Sequence, residues 1–349
     1  MGLQGLVRVP GCRGNAAQPA RTASARAFLS DLLDPGFGFD PSYGYSLSDL
    51  LSVAPPEAPP GFGDFWSRRY RRALEIDPMP TLGISDLLDR RFRIDEIAYR
   101  STDDFTIRGW LLQPIGTVPA CGFVLGHGYG GITEPPLDLP RCDAVYLVPA
   151  FRGLGLSRRP PISEEPRWHV LHDIDRRDRY IIGGCVEDVW TGVGALLQLF
   201  PDLDGHIGYL GISFGGGIGA LALPWDRRIA CGHLNVPTFG HQRLRLELPT
   251  IGSGAAVQDF ARRQGHGHVL ETLAYYDAAV AARYIAQPMH VAAARLDPAV
   301  APPGQFAIYT AIPGDKQLFV LEAGHVDYPD RERREQELMA ELRAFFAAL

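Results

Sequence analysis

Short apolar segments recur along the chain after residue 120, and longer stretches of mixed polarity separate several of them. Segments without polar alternation are typical of strands covered on both faces of a parallel sheet. Strands that alternate with helices predict an open α/β sheet with right-handed connections. The predicted strands are CGFVLG (121–126), DAVYLVPA (143–150), HIGYLGI (206–212), ACGHLNV (230–236), MHVAAARL (289–296) and KQLFVLE (316–322).

The chain between residues 62 and 114 shows two other patterns. RFRIDEIAYRS (91–101) and FTIRGWLLQP (105–114) alternate roughly in polarity on either side of an acidic turn, which predicts an antiparallel hairpin. FGDFWSRRYRRALEI (62–76) has helical periodicity, and its apolar face consists of Phe62, Phe65, Trp66 and Leu74.

The two ends of the chain differ in predicted structure: the last residues favour a helix, and the first residues do not. The last segment, 331–349, predicts a helix with one apolar stripe of Leu338, Leu342, Phe345 and Leu349. Residues 1–60 are rich in glycine, proline and serine, which predicts a poorly ordered or irregular extension with a disordered tail over its first 26 residues. We therefore predict an extension at 1–60 and one domain at 61–349, a mostly parallel doubly wound sheet that begins with the antiparallel hairpin.

Composition narrows the class of protein. The chain has 349 residues, of which 46% are apolar and 21% charged, as in ordinary globular proteins. Its formal net charge of −6 argues against a nucleic-acid surface, and no apolar run approaches the ~20 residues that span a bilayer. Five scattered cysteines without a C-x-x-C motif indicate thiols in a reducing compartment, hence a cytoplasmic protein. They are Cys12, Cys121, Cys142, Cys185 and Cys231.

The segment YLGISFGGGIGA (209–220) places Ser213 among five glycines. It fits the pattern G-x-S-x-G, a predicted strand precedes it and a small-residue helix follows it. This context predicts a nucleophile elbow, in which a strained turn lifts the serine hydroxyl to the carboxyl end of the sheet. The alternative is a tight strand–helix turn with an inert serine.

A nucleophilic serine needs a base within hydrogen-bond reach and an acid that orients the base. In elbow folds the chain order is serine, acid, histidine. Asp297 follows the strand at 289–296 and His325 follows the strand at 316–322, so both are expected at the same sheet edge as Ser213. His325 would then be the base, and Asp297 would hold its tautomer and stabilise its cation.

Other acids and histidines are weaker candidates for these roles. Glu322 precedes the turn at Gly324 and is expected to point elsewhere, and Asp327 lies only two residues past His325. His290, inside a strand, is interpreted as a packed core residue. Three further histidines lie in irregular sequence, namely His241, His266 and His268.

The glycine-rich segment LGHGYGG (125–131) follows the first predicted parallel strand. A loop at this position supplies one backbone donor of an oxyanion hole, and the residue after the nucleophile supplies the other. We therefore predict the N–H groups of Tyr129 and Phe214 as the donors; the alternative is that His127-Gly128 only forms a tight turn.

His169 and His172 have a spacing that a metal site can use, but a solvated charged insertion is favoured because no matched second motif exists. The glycine run lacks the residues of a phosphate or dinucleotide loop, so neither metal nor cofactor is expected.

Several segments together resemble the acetyl xylan esterase and cephalosporin-C deacetylase family, carbohydrate esterase family 7 of the α/β-hydrolases, over about residues 62–349. GISFGGGIGALA is similar to the family elbow, GHGYGG to its oxyanion loop, and RLDPAVAPP and GHVDYP to the loops of its acid and base. FRGLGLS (151–157) resembles a family R-G-Q-G-x-S segment, in which Arg152 and Gly153 match. The resemblance implies the triad Ser213, Asp297 and His325, with Arg152 and Gly153 as substrate-binding or structural support.

The chain departs from the family at positions that bear on specificity. Phe214 and Leu154 replace family glutamines, and Val326 replaces a glutamate. If these form a pocket wall, an apolar wall changes acyl or alcohol preference. The segment 158–180 is also shorter than the family insertion that shapes its ring-like hexamer, so a homo-oligomer is left open.

From the residues and the resemblance we predict a serine hydrolase that deacetylates small acetylated sugars or related alcohols without cofactor or metal, and without a nucleic-acid or membrane partner. The alternatives are a peptidase or amidase of the same fold, another acyl hydrolase, and a non-catalytic binding protein.

Overall fold

The computed structural model describes residues 37–349; the tail predicted for the first 26 residues and Cys12 lie outside the described residues. The strands are β1 Thr81–Ile84, β2 Phe92–Arg100, β3 Thr106–Pro114, β4 Cys121–Gly126, β5 Ala144–Pro149, β6 Ile207–Ile212, β7 Ile229–Asn235, β8 Met289–Leu296 and β9 Lys316–Ala323. The helices are α1 Leu47–Leu51, α2 Phe62–Leu74, α3 Pro166–His169, α4 Ile181–Leu199, α5 Phe214–Ala222, α6 Gln242–Glu247, α7 Gly252–Gln264, α8 His266–Leu273, α9 Ala278–Ala282, α10 Pro302–Ala311 and α11 Arg331–Phe345.

Within residues 37–349, the strands form one nine-stranded sheet in the order β1-β2-β3-β5-β4-β6-β7-β8-β9. The pairs β1–β2, β2–β3 and β3–β5 are antiparallel, and all remaining neighbours are parallel. The predicted hairpin and the six predicted parallel strands are therefore confirmed. The exposed edge strand β1 was not predicted, because four residues without burial carry no periodic signal.

Helices cover both faces of the sheet, as a doubly wound fold requires. On one face, α4 is buried over most of its length and packs against α2 and α5. On the other face, α11 contributes Leu338 and Leu342 to a second apolar cluster, together with Phe346 just beyond the helix. The connection from β4 to β5, residues 127–143, contains no helix, so part of this second face is covered only by loop.

The two predicted amphipathic helices form, with local differences. Phe62, Phe65 and Trp66 of α2 are buried, but Leu74 is 49% exposed because it ends the helix. Helix α11 stops at Phe345, so Leu349 lies beyond the stripe on which it was predicted.

The part of the extension that the structure describes contacts the domain. Leu50 of α1 is fully buried in the main core, and the N–H of Asp297 donates to the carbonyl of Pro41 at 3.0 Å. The division at residue 60 stays a prediction. Among the described helices, none combines the length and apolarity needed to cross a bilayer.

Candidate active site

Ser213 occupies a strained turn between β6 and α5. Its backbone has φ 53° and ψ −109°, outside the regions that residues with a Cβ atom favour. The turn is held by its own backbone, since the N–H of Ser213 donates to the carbonyl of Asn235 at 2.8 Å and its carbonyl accepts from the N–H of Thr238 at 3.1 Å. The predicted strained elbow is therefore confirmed in its backbone geometry.

Two glycines allow the chain to pass close to this turn. A Cβ atom on Gly215 would lie 2.2 Å from the backbone carbon of Gly126, which is closer than real Cβ contacts. The N–H of Gly215 donates to the carbonyl of His127 at 2.9 Å. The glycines thus join the start of α5 directly to the loop after β4, and this contact fixes the two segments predicted to carry the oxyanion donors.

The structure brings Ser213, His325 and Asp297 together. The Nε2 atom of His325 lies 2.8 Å from the Oγ atom of Ser213, and its Nδ1 atom lies 2.7 Å from Oδ2 of Asp297. A carboxylate only accepts hydrogen bonds, so Nδ1 carries the proton of the neutral ring and Nε2 faces the serine hydroxyl as an acceptor. Side chains separated by up to 112 positions in sequence thereby form one hydrogen-bonded chain.

The carboxylate of Asp297 is fully buried and fixed by further donors. The N–H groups of Ala299 and Val300 each donate to Oδ1 at 2.9 Å, and Nε2 of Gln305 donates to Oδ2 at 2.9 Å. Sequence reasoning missed Gln305. The available signal was a polar residue in the first turn of the helix that follows the loop of the acid.

The environment of His325 has two opposing effects on its pKa. Burial alone lowers the pKa of the imidazole, but the charge of Asp297 and the hydrogen bond to it raise the pKa by more, so that it lies above the ordinary value of 6.5. The site therefore stabilises the imidazolium, the form that a general base takes after it accepts a proton.

The competing acids pair with arginines instead of His325, and for Glu322 this confirms the prediction that it points elsewhere. Glu322 pairs with Arg295 at 3.5 Å, and Asp327 contacts Arg331. His290 is fully buried in β8, which confirms its interpretation as a core residue.

Three other histidines are expected in irregular sequence, which is confirmed for His241 and wrong for His266 and His268. His241 directly precedes α6, and His266 and His268 lie in the first turn of α8, where they are exposed.

The loop after β4 is rigidly held by His127. Its Nδ1 atom contacts the carbonyl of Gly128 at 2.7 Å, and its Nε2 atom accepts from the N–H of Phe151 at 3.1 Å. Burial lowers the pKa of this histidine to about 4, so the ring is neutral near pH 7. His127 thus anchors the segment that leads to Tyr129.

Tyr129 and Phe214 lie against each other beside the turn. Their rings stack with centroids 4.0 Å apart, and the hydroxyl of Tyr129 contacts Nδ1 of His169 at 3.1 Å. Within residues 37–349, the backbone N–H groups of Tyr129 and Phe214 donate to no acceptor. Both N–H groups thus have no partner in this part of the chain, as donors of the predicted oxyanion hole require.

The suggestion that Phe214 and Leu154 form an apolar pocket wall is wrong. Phe214 is fully buried among Tyr129, Phe151 and Phe239, and Leu154 is only 2% exposed. Both side chains therefore pack in the core, at the two positions where the family has glutamines.

Arg152 lies in a buried charged cluster. Its Nη2 atom pairs with Oδ1 of Asp188 at 2.6 Å, and it also contacts the hydroxyl groups of Ser101 and Thr102. The guanidinium carbon lies 4.8 Å above the ring of Phe105. These contacts assign Arg152 a supporting position behind the site.

Gly153 and His169 connect this cluster to the oxyanion loop. Gly153 has φ 83°, and a Cβ atom there would lie 2.4 Å from Cγ2 of Ile162. His169 is fully buried and its Nε2 atom contacts the carbonyl of Arg152 at 3.0 Å, so the prediction of a solvated insertion is wrong at this residue. Within residues 37–349, no three acidic, histidine or cysteine side chains group as metal ligands would.

Comparisons with known proteins place this geometry in a family. Residues 46–339 match the acetyl xylan esterase (AXE1) family model, and a search of curated proteins found no significant match. Acetyl xylan esterase from Paenibacillus sp. R4 has 21% identity and a TM-score of 0.75, and acetyl xylan esterase 1 from Thermoanaerobacterium sp. JW/SL YS485 has 18% and 0.73; each alignment covers 85% of this chain and 99% of the other.

A more distant structural match is to a peptidase. Acylaminoacyl peptidase of Pyrococcus horikoshii shares 16% identity with a TM-score of 0.56, over 74% of this chain and 42% of the peptidase. These structural similarities establish the α/β-hydrolase fold. The family match covers most of the chain, and the chain therefore belongs to the acetyl xylan esterase family and is a carboxylic ester hydrolase.

Proposed function

We propose that Ser213 is the nucleophile of this esterase, with His325 as general base and Asp297 as the acid that orients it. The observation that carries the proposal is the position of the His325 ring, which lies 2.8 Å from the serine oxygen on one side and 2.7 Å from the carboxylate on the other. A serine hydroxyl becomes an effective nucleophile when such a base accepts its proton.

In the first half of the reaction, Oγ of Ser213 attacks the ester carbonyl carbon while Nε2 of His325 accepts the hydroxyl proton. The carbonyl oxygen becomes an oxyanion, which the N–H groups of Tyr129 and Phe214 stabilise. The tetrahedral intermediate then collapses. The bond to the alcohol oxygen breaks, and His325 gives its proton to that oxygen, which leaves an acyl group on Ser213.

The second half repeats these roles with water. His325 accepts a proton from water as the water attacks the acyl carbon, and the proton then returns to Oγ of Ser213 as the acid leaves. Asp297 stabilises the imidazolium in both halves. All proton transfers use groups of the chain and the attacking water.

We propose a short acyl group, acetate above all, on a sugar or related alcohol as the substrate. The match to the acetyl xylan esterase family over residues 46–339 supports acetate and a carbohydrate alcohol. The four cysteines within residues 37–349 are free thiols, which supports the proposed cytoplasmic location.

A matched pair of chromogenic substrates separates an esterase from an amidase at this site. We expect turnover of p-nitrophenyl acetate, acetate release from acetylated xylooligosaccharides, and kcat/KM at least about 10³-fold lower for p-nitroacetanilide, the amide with the same acyl group. Comparable kcat/KM for the amide and the ester would instead support the peptidase alternative.

The pH dependence follows from the raised pKa of His325. The base must be neutral to accept the serine proton, so kcat/KM falls as the pH drops through the pKa of the free enzyme, by about tenfold for each pH unit below it. Because Asp297 raises this pKa, we expect the midpoint above the ordinary 6.5. A pH series of kcat/KM for p-nitrophenyl acetate measures it, and a midpoint below 6.5 contradicts the coupling to Asp297.

A further inference from the structure

A cleft with a volume of about 100 Å³ lies between the carboxyl ends of β6, β7 and β9 and the helix α11. It exists where the connection from β4 to β5 lacks a helix and leaves this face of the sheet partly uncovered. His325 and Gly324 form part of its wall, whereas Tyr129 and Phe214 do not. The cleft therefore adjoins the base and not the predicted oxyanion donors.

Two polar side chains of β7 that line this cleft each have one buried atom without a partner in the described part of the chain. His233 is only 3% exposed, and its buried Nε2 atom has no hydrogen-bond partner within residues 37–349. The buried Oδ1 atom of Asn235 also lacks a partner in this part of the chain. A buried polar group without a hydrogen bond costs free energy, so such groups in a cleft indicate a ligand that completes them.

The hydrogen bonds of His233 determine what its free nitrogen can bind. Its Nδ1 atom lies 3.0 Å from Nδ1 of His290 and 3.3 Å from the carbonyl of His290. A carbonyl only accepts, and Nε2 of His290 lies 3.5 Å from the carboxylate of Glu341, which also only accepts. The arrangement that satisfies all contacts has the proton of His233 on Nδ1 and the proton of His290 on Nε2.

The Nε2 atom of His233 is then a buried acceptor without a partner in this part of the chain, on a residue that lines the cleft. Burial and the neighbouring histidine hold the pKa of His233 well below 6.5, so the ring does not gain a second proton near neutral pH. Together with Oδ1 of Asn235, the residues that line the cleft hold two buried acceptors, which a hydrogen-bond donor would satisfy. A hydroxyl group is the neutral donor that a carbohydrate or polyol provides.

We propose that His233 and Asn235 form a subsite for the hydroxyl groups of the ester's alcohol portion. This inference rests on the proposed function, in which His325 gives its proton to the departing alcohol oxygen and the alcohol must therefore lie on the imidazole side. The cleft adjoins His325. The charged side chains of Arg331 and Glu335 line it as well, in keeping with a polar ligand.

The test compares two esters of the same acid and the same carbon skeleton, glycerol monoacetate and propyl acetate. The measured quantity is the ratio of their kcat/KM values. In His233→Asn, the amide nitrogen can occupy the place of Nδ1 and keep the bond to His290, but the acceptor at Nε2 is lost. We expect the ratio to fall about tenfold, the effect of one hydrogen bond to a substrate hydroxyl.

Two further variants and one control complete the test. His233→Gln returns a polar group to the place of Nε2 and is expected to recover the wild-type ratio. If His233→Asn does not fold, the same ratio is measured in Asn235→Ala, where it is also expected to fall. Cys231→Ala changes the same face of β7 outside the cleft and should keep the wild-type ratio. Ratios within about twofold of wild type in both His233→Asn and Asn235→Ala overturn the subsite. Turnover that survives Ser213→Ala would instead remove the proposed function, so the two failures are distinct.

Discussion

Ser213→Ala is expected to lower kcat for p-nitrophenyl acetate by about 10⁴- to 10⁶-fold while the protein stays folded. The substitution removes the hydroxyl that the proposed mechanism acylates and leaves the strained turn intact, since its hydrogen bonds come from the backbone. The backbone donors of Tyr129 and Phe214 remain, and they account for the residual rate above that in water. Steady-state kinetics on the purified full chain measure the effect.

The control for this variant is its stability. The hydroxyl of Ser213 contacts only His325 among the described side chains, so the midpoint of urea unfolding should stay close to the wild-type value. A folded Ser213→Ala protein with a kcat near that of wild type would mean that ester hydrolysis occurs elsewhere on the chain.

Arg152→Met is expected to lower the free energy of unfolding by about 3–5 kcal/mol. The guanidinium is 2% exposed and pairs with Asp188, which is fully buried, so the substitution leaves a carboxylate in the core without its cation. Glu187 lies 4.0 Å from the same guanidinium and loses part of its compensation as well. Urea unfolding of the full chain, followed by fluorescence, measures the loss.

Arg159→Met is the matched control. Its guanidinium lies 4.7 Å above the ring of Phe105, as that of Arg152 lies 4.8 Å above it. Arg159, however, is exposed and pairs with no buried carboxylate among residues 37–349. We expect a loss below about 1 kcal/mol. Equal losses in the two variants would contradict the buried ion pair as the source of stability. A specific rise in KM in folded Arg152→Met would indicate substrate binding instead of support.

The sequence predicts the sheet and the three distant residues of the site for one reason. Unbroken apolar runs mark strands that are buried on both faces, and the residues directly after such strands must lie at one edge of a parallel sheet. Ser213 and Asp297 follow such runs, and His325 follows the apolar run of the edge strand β9, which is buried on one face only. Their convergence depends on backbone topology. No knowledge of side-chain packing was needed to select them.

Features that depend on packing between distant side chains were not predictable in this way. Gln305 donates to Asp297, and His169 contacts Tyr129, but the local sequence does not show which distant side chain each of these polar residues meets. Phe214 is buried in the core and does not form the pocket wall suggested for it, because the direction of its side chain depends on the helix that begins at this residue. In the sequence, His233 is one polar residue in an apolar strand. Only the hydrogen bond to His290 shows that its Nδ1 atom carries the proton and that its Nε2 atom is an acceptor.

The most direct test of the central claim is the rate at which a fluorophosphonate probe labels Ser213, followed by peptide mass spectrometry in wild type and in His325→Ala. A serine that the imidazole activates reacts with the probe, and one without its base does not. We predict one labelled peptide, the one that contains Ser213, and loss of labelling in His325→Ala. Labelling of another residue, or an equal rate in the two proteins, would contradict the account.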